Sequence, residues 1–271
     1  DVYKRQLLHI DEVVCGLGRT GTWFGYQNYG IKPDMVTMAK GVASGYAAIA
    51  CLVTTEEVFE SFKDNPNDKM NYFRDISTFG GCTAGPTAAI ENMRIIEDEN
   101  LLENTIKMGA RIIDNLHNLA EKHPVIGDVR GSGLFCGAEL VKDRKTKEPE
   151  DEKSVQAVVA DCAAQGVLIG ATNRSLPGLN NTLCFSPALI ATPDDIDQIT
   201  DAVDKSLTKI FENKLSKMDI VSEPDDPFIA GKNHPVYFAN LACLSKSTNK
   251  IASGRELVAK QYVLDLVQCD F

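Results

Sequence analysis

Residues 7–45 read LLHIDEVVCGLGRTGTWFGYQNYGIKPDMVTMAKGVASG, and this stretch decides how the surrounding chain is interpreted. An apolar strand over residues 7–14 carries Asp11, a glycine-rich turn follows, and a second apolar strand over residues 35–39 leads to Lys40. Continuous apolar strands of this kind are typical of a buried parallel sheet. Because ligands collect at the carboxyl ends of such strands, we predict a site that holds both a carboxylate and an amine.

Asp11 and Lys40 are each unremarkable alone, but together they match the needs of a pyridine aldehyde cofactor. Such a cofactor needs an amine that holds it as a Schiff base and then moves the substrate's α-proton, which suits a lysine. It also needs a carboxylate that keeps its ring nitrogen protonated. We therefore expect Lys40 to carry the cofactor and Asp11 to face the ring nitrogen. Val13 lies on the same predicted strand face and could pack against the ring, with plain core packing as the alternative.

Residues 16–21 (GLGRTG) also match the glycine pattern of a dinucleotide-binding turn. That pattern requires a helix to begin at the glycines, so that the helix N-terminus faces the pyrophosphate. Here residues 22–26 (TWFGY) are a poor helix start, and Asp11 and Glu12 would lie near the phosphates. We therefore reject a nicotinamide cofactor, which is the natural enzyme alternative.

Composition narrows the other function classes. The formal charge of −10 argues against nucleic acid or an anionic membrane as a partner, and no apolar run approaches the length of a membrane span. The eight cysteines are scattered without a CxxC pair, as expected for buried thiols in a cytoplasmic protein. The four histidines show no metal-ligand spacing, so no metal site is expected.

The rest of the chain predicts two domains and a tail. We expect residues 1–98 to be the C-terminal part of a large α/β domain and residues 99–217 to form a small α+β domain. Residues 218–271 form a poorly specified tail whose native origin the sequence leaves open. Because the chain starts with Asp1 and the first strand follows abruptly, we expect it to be the C-terminal portion of a longer protein. The predicted elements of the second domain include a strand pair at 125–141, a charged loop at 142–153, helices at 154–165 and from 193, and strands at 167–169 and 182–185.

Several motifs carry a resemblance to a known family: DEVVCGLGRTGTWFG at 11–25, PDMVTMAKGVASGY at 33–46, ISTFGG at 76–81, DVRGSGLFCGAELV at 128–141 and SPALIATPDDID at 186–197. They resemble the class III aminotransferases, which are fold-type I enzymes that use pyridoxal 5′-phosphate. The resemblance covers residues 7–217 and implies a mainly parallel-sheet large domain followed by a small α+β domain. The family's aspartate and lysine fall on Asp11 and Lys40. Its threonine, which reaches the phosphate of the neighbouring subunit's cofactor, falls on Thr78 and implies a homodimer or a dimer of dimers.

Departures from the family pattern narrow the subgroup. Members that bind an α-carboxylate commonly have arginine where this chain has Cys184 and glutamine where it has Val14. Residues 75–104 resemble the pyruvate-dependent ω-aminotransferases of the taurine:pyruvate and β-alanine:pyruvate type. The resemblance implies transfer of a primary amine to the cofactor, giving an aldehyde, and then to pyruvate, giving alanine. Arg174, in ATNRSLPGLNN, is the candidate for the mobile arginine that binds the donor's acidic end, with a surface loop arginine as the alternative.

Two other interpretations stay open at this point. The family includes an aminomutase and a decarboxylase, which only the subgroup resemblance disfavours. From another class, the chain could be a non-catalytic dimerisation or binding module. Arg19 and Arg130 are assigned to structure or to the dimer interface.

Overall fold

The computed structural model describes residues 6–63, 67, 73 and 77–212, without the side chain of the last. The described chain divides into two units between Glu103 and Asn104. The tail predicted over residues 218–271 lies outside the described residues. Within the described part, no helix is both long and apolar enough to cross a membrane.

The first unit contains a three-stranded sheet made of β1 (His9–Asp11), β2 (Met35–Met38) and β3 (Cys51–Thr54), in that order. β1 and β2 are parallel, with Asp11 opposite Thr37, whereas β3 is antiparallel to β2. β1 ends at Asp11, earlier than the apolar run predicted, because the Asp11 side chain accepts a hydrogen bond from the backbone N–H of Val13 (2.9 Å) and turns the chain.

Among the described residues, three α-helices follow the sheet of the first unit, and the third continues into the second unit. α1 (Glu56–Glu60) has two acidic residues in its first turn, where their negative charges interact favourably with the positive end of the helix dipole. α2 (Ala84–Asp98) is followed by Asn100 in the left-handed conformation (φ +53°), and α3 (Leu101–Lys122) starts directly after it. The helical segment is therefore broken between α2 and α3, since asparagine tolerates the backbone conformation that ends a helix.

The second unit is an antiparallel sheet covered by helices. Its strands are β4 (Ile126–Ser132), β5 (Phe135–Asp143), β6 (Glu148–Pro149), β7 (Gly170–Ala171) and β8 (Thr182–Phe185), and its further helices are α4 (Glu152–Ala164) and α5 (Pro193–Leu207). The sheet order is β4–β5–β8–β7, and β6 pairs with the C-terminal end of β5. The core includes the fully buried side chains of Leu116, Leu140, Val158, Leu183 and Ile196.

Two predictions for this unit were wrong in detail. The charged loop expected over residues 142–153 is instead a turn followed by β6. The Asp143 carboxylate accepts hydrogen bonds from the backbone N–H groups of Lys145 (2.9 Å) and Thr146 (2.7 Å), so the chain folds back onto β5. The strand expected at residues 167–169 begins at Gly170, while Val167 and Ile169 pack into the core.

Candidate active site

Asp11 and Lys40 leave the sheet at the same edge. β1 and β2 are neighbouring parallel strands, so their carboxyl ends lie side by side. Asp11 is the last residue of β1, and Lys40 follows β2 after the single residue Ala39. The structure therefore brings together the carboxylate and the amine that the sequence selected, at the edge where sheets of this class bind ligands.

The Asp11 carboxylate is exposed and held in place from one side. Its Oδ1 accepts the hydrogen bond from the N–H of Val13, and its other oxygen has no hydrogen-bond partner among the described residues. The prediction that Val13 shares a strand face with Asp11 was wrong, because β1 has already ended and Val13 lies in the turn. The backbone of Val13 instead orients the carboxylate.

Lys40 adopts a backbone conformation that is uncommon for a residue with a side chain. It is exposed, begins a short 3₁₀ turn (Lys40–Ala43) and has a φ of +43°. Within the described residues its amine makes no ion pair or hydrogen bond. Left-handed non-glycine residues cluster at functional sites, where the surrounding structure must hold them. Lys40 thus combines an uncommitted amine with a constrained backbone.

α2 holds the turn that carries Lys40. The Asn92 side-chain amide donates to the carbonyl oxygens of Gly41 (2.8 Å) and Val42 (3.1 Å), and Val42 itself is fully buried. Sequence reasoning missed Asn92. The signal was its position three residues after Ala89 and four before Ile96, because this spacing places a polar amide on the buried face of α2.

Glu12 is the second residue that sequence reasoning missed. Its carboxylate is buried, with the residue only 2% exposed, and accepts hydrogen bonds from the backbone N–H groups of Gly25 (2.9 Å) and Tyr26 (2.8 Å). These bonds close the glycine-rich turn beside Asp11.

A 3₁₀ helix (Gly25–Tyr29) is the first helical element after the glycines, and no α-helix begins at residues 16–21. The turn therefore lacks the helix N-terminus that a dinucleotide-binding turn places against the pyrophosphate.

Cys15 lies in the same glycine-rich turn, and its thiol is a second candidate nucleophile. Burial, followed by the charges of Glu12 and Asp11, raises the pKa of the Cys15 thiol. A thiol is nucleophilic only when it is deprotonated. The raised pKa therefore favours the protonated, unreactive form of the Cys15 thiol.

Thr78 and Arg174 are both exposed. Thr78 lies in a turn ahead of α2, where the N–H of Gly80 donates to the carbonyl of Ser77 (3.0 Å). Arg174 lies in the loop between β7 and β8 of the second unit.

The loop that carries Arg174 is tied to α4 by the carboxylate of Glu152. This carboxylate accepts hydrogen bonds from the N–H of Gly178 (2.8 Å) and the side chain of Asn180 (2.9 Å), and the former lowers the pKa of Glu152 most. Nearby in the same unit, Arg130 pairs with Asp128 (2.5 Å) and Glu139 (2.8 Å).

The sequence profile of the aminotransferase class-III family matches residues 3–207. The chain therefore belongs to the class III aminotransferases, as the motifs predicted.

Two relatives show the subgroup that the chain is similar to. A hypotaurine/taurine–pyruvate aminotransferase of Paracoccus denitrificans is 79% identical over 205 residues, which cover 76% of this chain and 45% of the relative. A taurine–pyruvate aminotransferase of Rhodobacter capsulatus is 72% identical over 204 residues, which cover 75% of this chain and 44% of that protein. The chain thus spans less than half the length of these curated relatives.

Solved structures confirm the fold-type I α/β prediction. An aminotransferase of Bacillus anthracis superimposes with a TM-score of 0.73 at 40% identity, covering 75% of this chain and 45% of that chain. A PLP-bound amine transaminase from an uncultivated Pseudomonas species superimposes with a TM-score of 0.69 at 28% identity, covering 75% of this chain and 45% of that chain.

Class III aminotransferases use pyridoxal 5′-phosphate, and the residues present fit this cofactor. An aldehyde requires an accessible, uncommitted amine, which Lys40 supplies. A protonated pyridine nitrogen requires an oriented carboxylate with a free acceptor oxygen, which Asp11 supplies. Both groups lie at one edge of one sheet.

Proposed function

We propose that the protein to which this chain belongs is a pyridoxal-phosphate-dependent ω-aminotransferase with pyruvate as amino acceptor. The donor is an ω-amino acid or amine of the taurine or β-alanine type, and the products are an aldehyde and alanine. The observation that carries the proposal is the placement of Asp11 and Lys40 at the carboxyl ends of neighbouring parallel strands. The 79% identity to the Paracoccus relative supports the choice of donor and acceptor.

Lys40 and Asp11 have separate roles in this mechanism. When bound, pyridoxal phosphate supplies an electron sink: it accepts the electrons left on the amine-bearing carbon of the substrate when the C–H bond of that carbon breaks. The Lys40 amine would anchor the cofactor covalently and, once released, would take the proton from that carbon and deliver it to the carbon of the cofactor's aldehyde group, as transfer of the amine requires. The Asp11 carboxylate, held by the N–H of Val13, accepts the hydrogen bond of the ring nitrogen and keeps it protonated.

The remaining site residues bind rather than react. Thr78 is exposed, and we assign its hydroxyl to the phosphate of the cofactor bound by the partner subunit of a homodimer or dimer of dimers. Val13 lines the cofactor ring from the turn after β1. Arg174 is exposed on its loop, and its guanidinium suits the sulfonate or carboxylate of the donor. The six cysteines of the described residues are all free thiols, which supports a cytoplasmic location.

The test uses a chimera, because the chain spans only part of its relatives. This chain replaces the matching segment of the Paracoccus enzyme, and alanine formation from pyruvate is measured with taurine, hypotaurine and β-alanine in turn. We expect alanine with at least one of these donors and none in Lys40→Arg, which keeps the positive charge. A folded chimera that yields no alanine while the unmodified Paracoccus enzyme does so would refute the proposal.

A further inference from the structure

The turn from Lys40 to Ser44 is constrained at both ends. Lys40 (φ +43°) and Ser44 (φ +50°) are both in the left-handed region, which side chains disfavour. The turn's own backbone supplies three hydrogen bonds: Val42 N–H to Ala39 (3.1 Å), Ser44 N–H to Gly41 (3.3 Å) and Tyr46 N–H to Ala43 (2.9 Å). The Ser44 bond lies beyond the usual N···O range of about 2.7–3.2 Å, and two left-handed residues flank the turn, so a contact from outside the turn would help to hold its conformation.

A side chain on α2 supplies a contact of this kind. Asn92, on α2, donates to the carbonyl oxygens of Gly41 and Val42, the two residues that directly follow Lys40. Both acceptors are carbonyls, so only the NH₂ group of the amide can face them. One amide thus bridges two successive peptide groups and restrains the rotation of the chain that sets the direction of Lys40.

We propose that Asn92 is a positioning residue for Lys40: it holds the left-handed turn so that the amine is presented at the sheet edge beside Asp11. The inference rests on the proposed function, since it assumes that Lys40 carries the cofactor. Asn92 touches neither substrate nor cofactor in this account and acts only through the backbone of the Lys40 turn.

A matched control exists elsewhere in the chain. On α3, the amide of Asn104 donates to the carbonyl oxygens of Leu189 (2.6 Å) and Ala191 (3.0 Å) within the second unit. Asn104→Leu therefore removes the same kind of interaction, an amide that bridges two carbonyls, from within the second unit.

The experiment measures how fast Lys40 acquires the cofactor. The chimera is freed of cofactor, mixed with pyridoxal 5′-phosphate across a range of pH, and reduced with borohydride at set times. The fraction of pyridoxyl-labelled Lys40 peptide is then measured by mass spectrometry. Hydrogen exchange of the amides at residues 41–46 is measured on the same cofactor-free samples.

We expect Asn92→Leu to slow the labelling of Lys40 roughly tenfold, which is the change that loss of one net hydrogen bond can produce. Amide exchange at residues 41–46 accelerates in the same variant. Asn92→Asp, which offers acceptors where donors are needed, is at least as slow, and Asn92→Gln recovers part of the rate. Asn104→Leu labels at the unsubstituted rate.

The outcomes separate the two proposals. No labelling of Lys40 in the unsubstituted chimera overturns the proposed function and this inference with it. Normal labelling there, with an unchanged rate and pH profile in a folded Asn92→Leu variant, overturns the inference alone. If Asn92→Leu does not fold, the comparison of Asn92→Gln with Asn92→Asp decides, because equal rates for a donor and a non-donor overturn the inference.

Discussion

The carboxylate of Glu12 and the backbone N–H of Gly25 are joined by a buried hydrogen bond of 2.9 Å that spans the glycine-rich turn after β1. A second bond from the N–H of Tyr26 completes the closure. The turn that begins beside Asp11 is therefore fastened by the very next side chain in the sequence, and this pairing yields the first prediction.

Glu12→Gln should destabilise the protein by about 1–3 kcal/mol. Each oxygen of the carboxylate accepts one backbone N–H, whereas an amide has a single oxygen, so one of these N–H groups would lose its acceptor. The free energy of unfolding is measured by urea denaturation. Glu57→Gln, an exposed change on α1, is the control and should stay within about 0.5 kcal/mol of the parent. Equal stabilities for the two variants would show that the Glu12 bonds contribute nothing.

Gly109→Ala should destabilise the second unit although alanine favours helices. A Cβ at residue 109 would lie 2.4 Å from the carbonyl oxygen of Gly133. This oxygen belongs to the backbone and cannot move aside as a flexible side chain could. Overpacking of this kind costs about 1–3 kcal/mol, more than the roughly 1 kcal/mol that alanine gains over glycine in a helix. Gly81→Ala is the control, because a Cβ there meets nothing within 4 Å. A thermal denaturation midpoint for Gly109→Ala at or above the parent's would contradict this close approach.

The pair formed by His123 and Asp204 predicts a pH dependence. Burial raises the pKa of the Asp204 carboxyl, but hydrogen bonds from His123 (2.5 Å) and Lys122 (2.7 Å) outweigh burial and hold this pKa below its usual value. A carboxyl whose pKa is lowered on folding contributes stability above its unfolded pKa, and that stability is lost as the pH falls through its folded pKa.

Asp204→Asn should therefore lower the free energy of unfolding most at about pH 5.5, and the gap to the parent should shrink towards about pH 3. Urea denaturation at both pH values measures the gap. Asp201→Asn, an exposed change on the same helix, should show no such trend. A gap for Asp204→Asn that stays constant between the two pH values would argue against the pairing.

Asp11→Asn should leave the chimera able to bind pyridoxal phosphate but lower its kcat by about 100-fold or more, which is typical for loss of a group that stabilises charge in the transition state. The variant keeps the size of the side chain and an oxygen that can accept from Val13. Cofactor content is measured by absorbance after release in alkali, and kcat by alanine formation. Near-normal turnover with full cofactor content would refute the assigned role.

The site could be predicted from the sequence as far as local patterns reach. Asp11 and Lys40 lie at the ends of apolar strands, so their common edge could be inferred, and α5 begins at Pro193, where a helix was predicted. The strand placement of Val13 was wrong because the Asp11 side chain accepts a hydrogen bond from the N–H of Val13 and ends β1, which hydrophobic alternation does not encode. The spacing of Asn92 marks it as a polar side chain on the buried face of α2, but its partner lies 51 residues away in the sequence, and local spacing does not identify that partner.

The central claim is that Lys40 carries the cofactor, and trapping that bond tests it most directly. The chimera and its Lys40→Ala variant are mixed with pyridoxal 5′-phosphate, reduced with borohydride and digested, and the labelled peptide is identified by mass spectrometry. The account predicts a pyridoxyl group on Lys40 and no stoichiometric label in the variant. Stoichiometric labelling of a different lysine, with Lys40 unmodified, would contradict it.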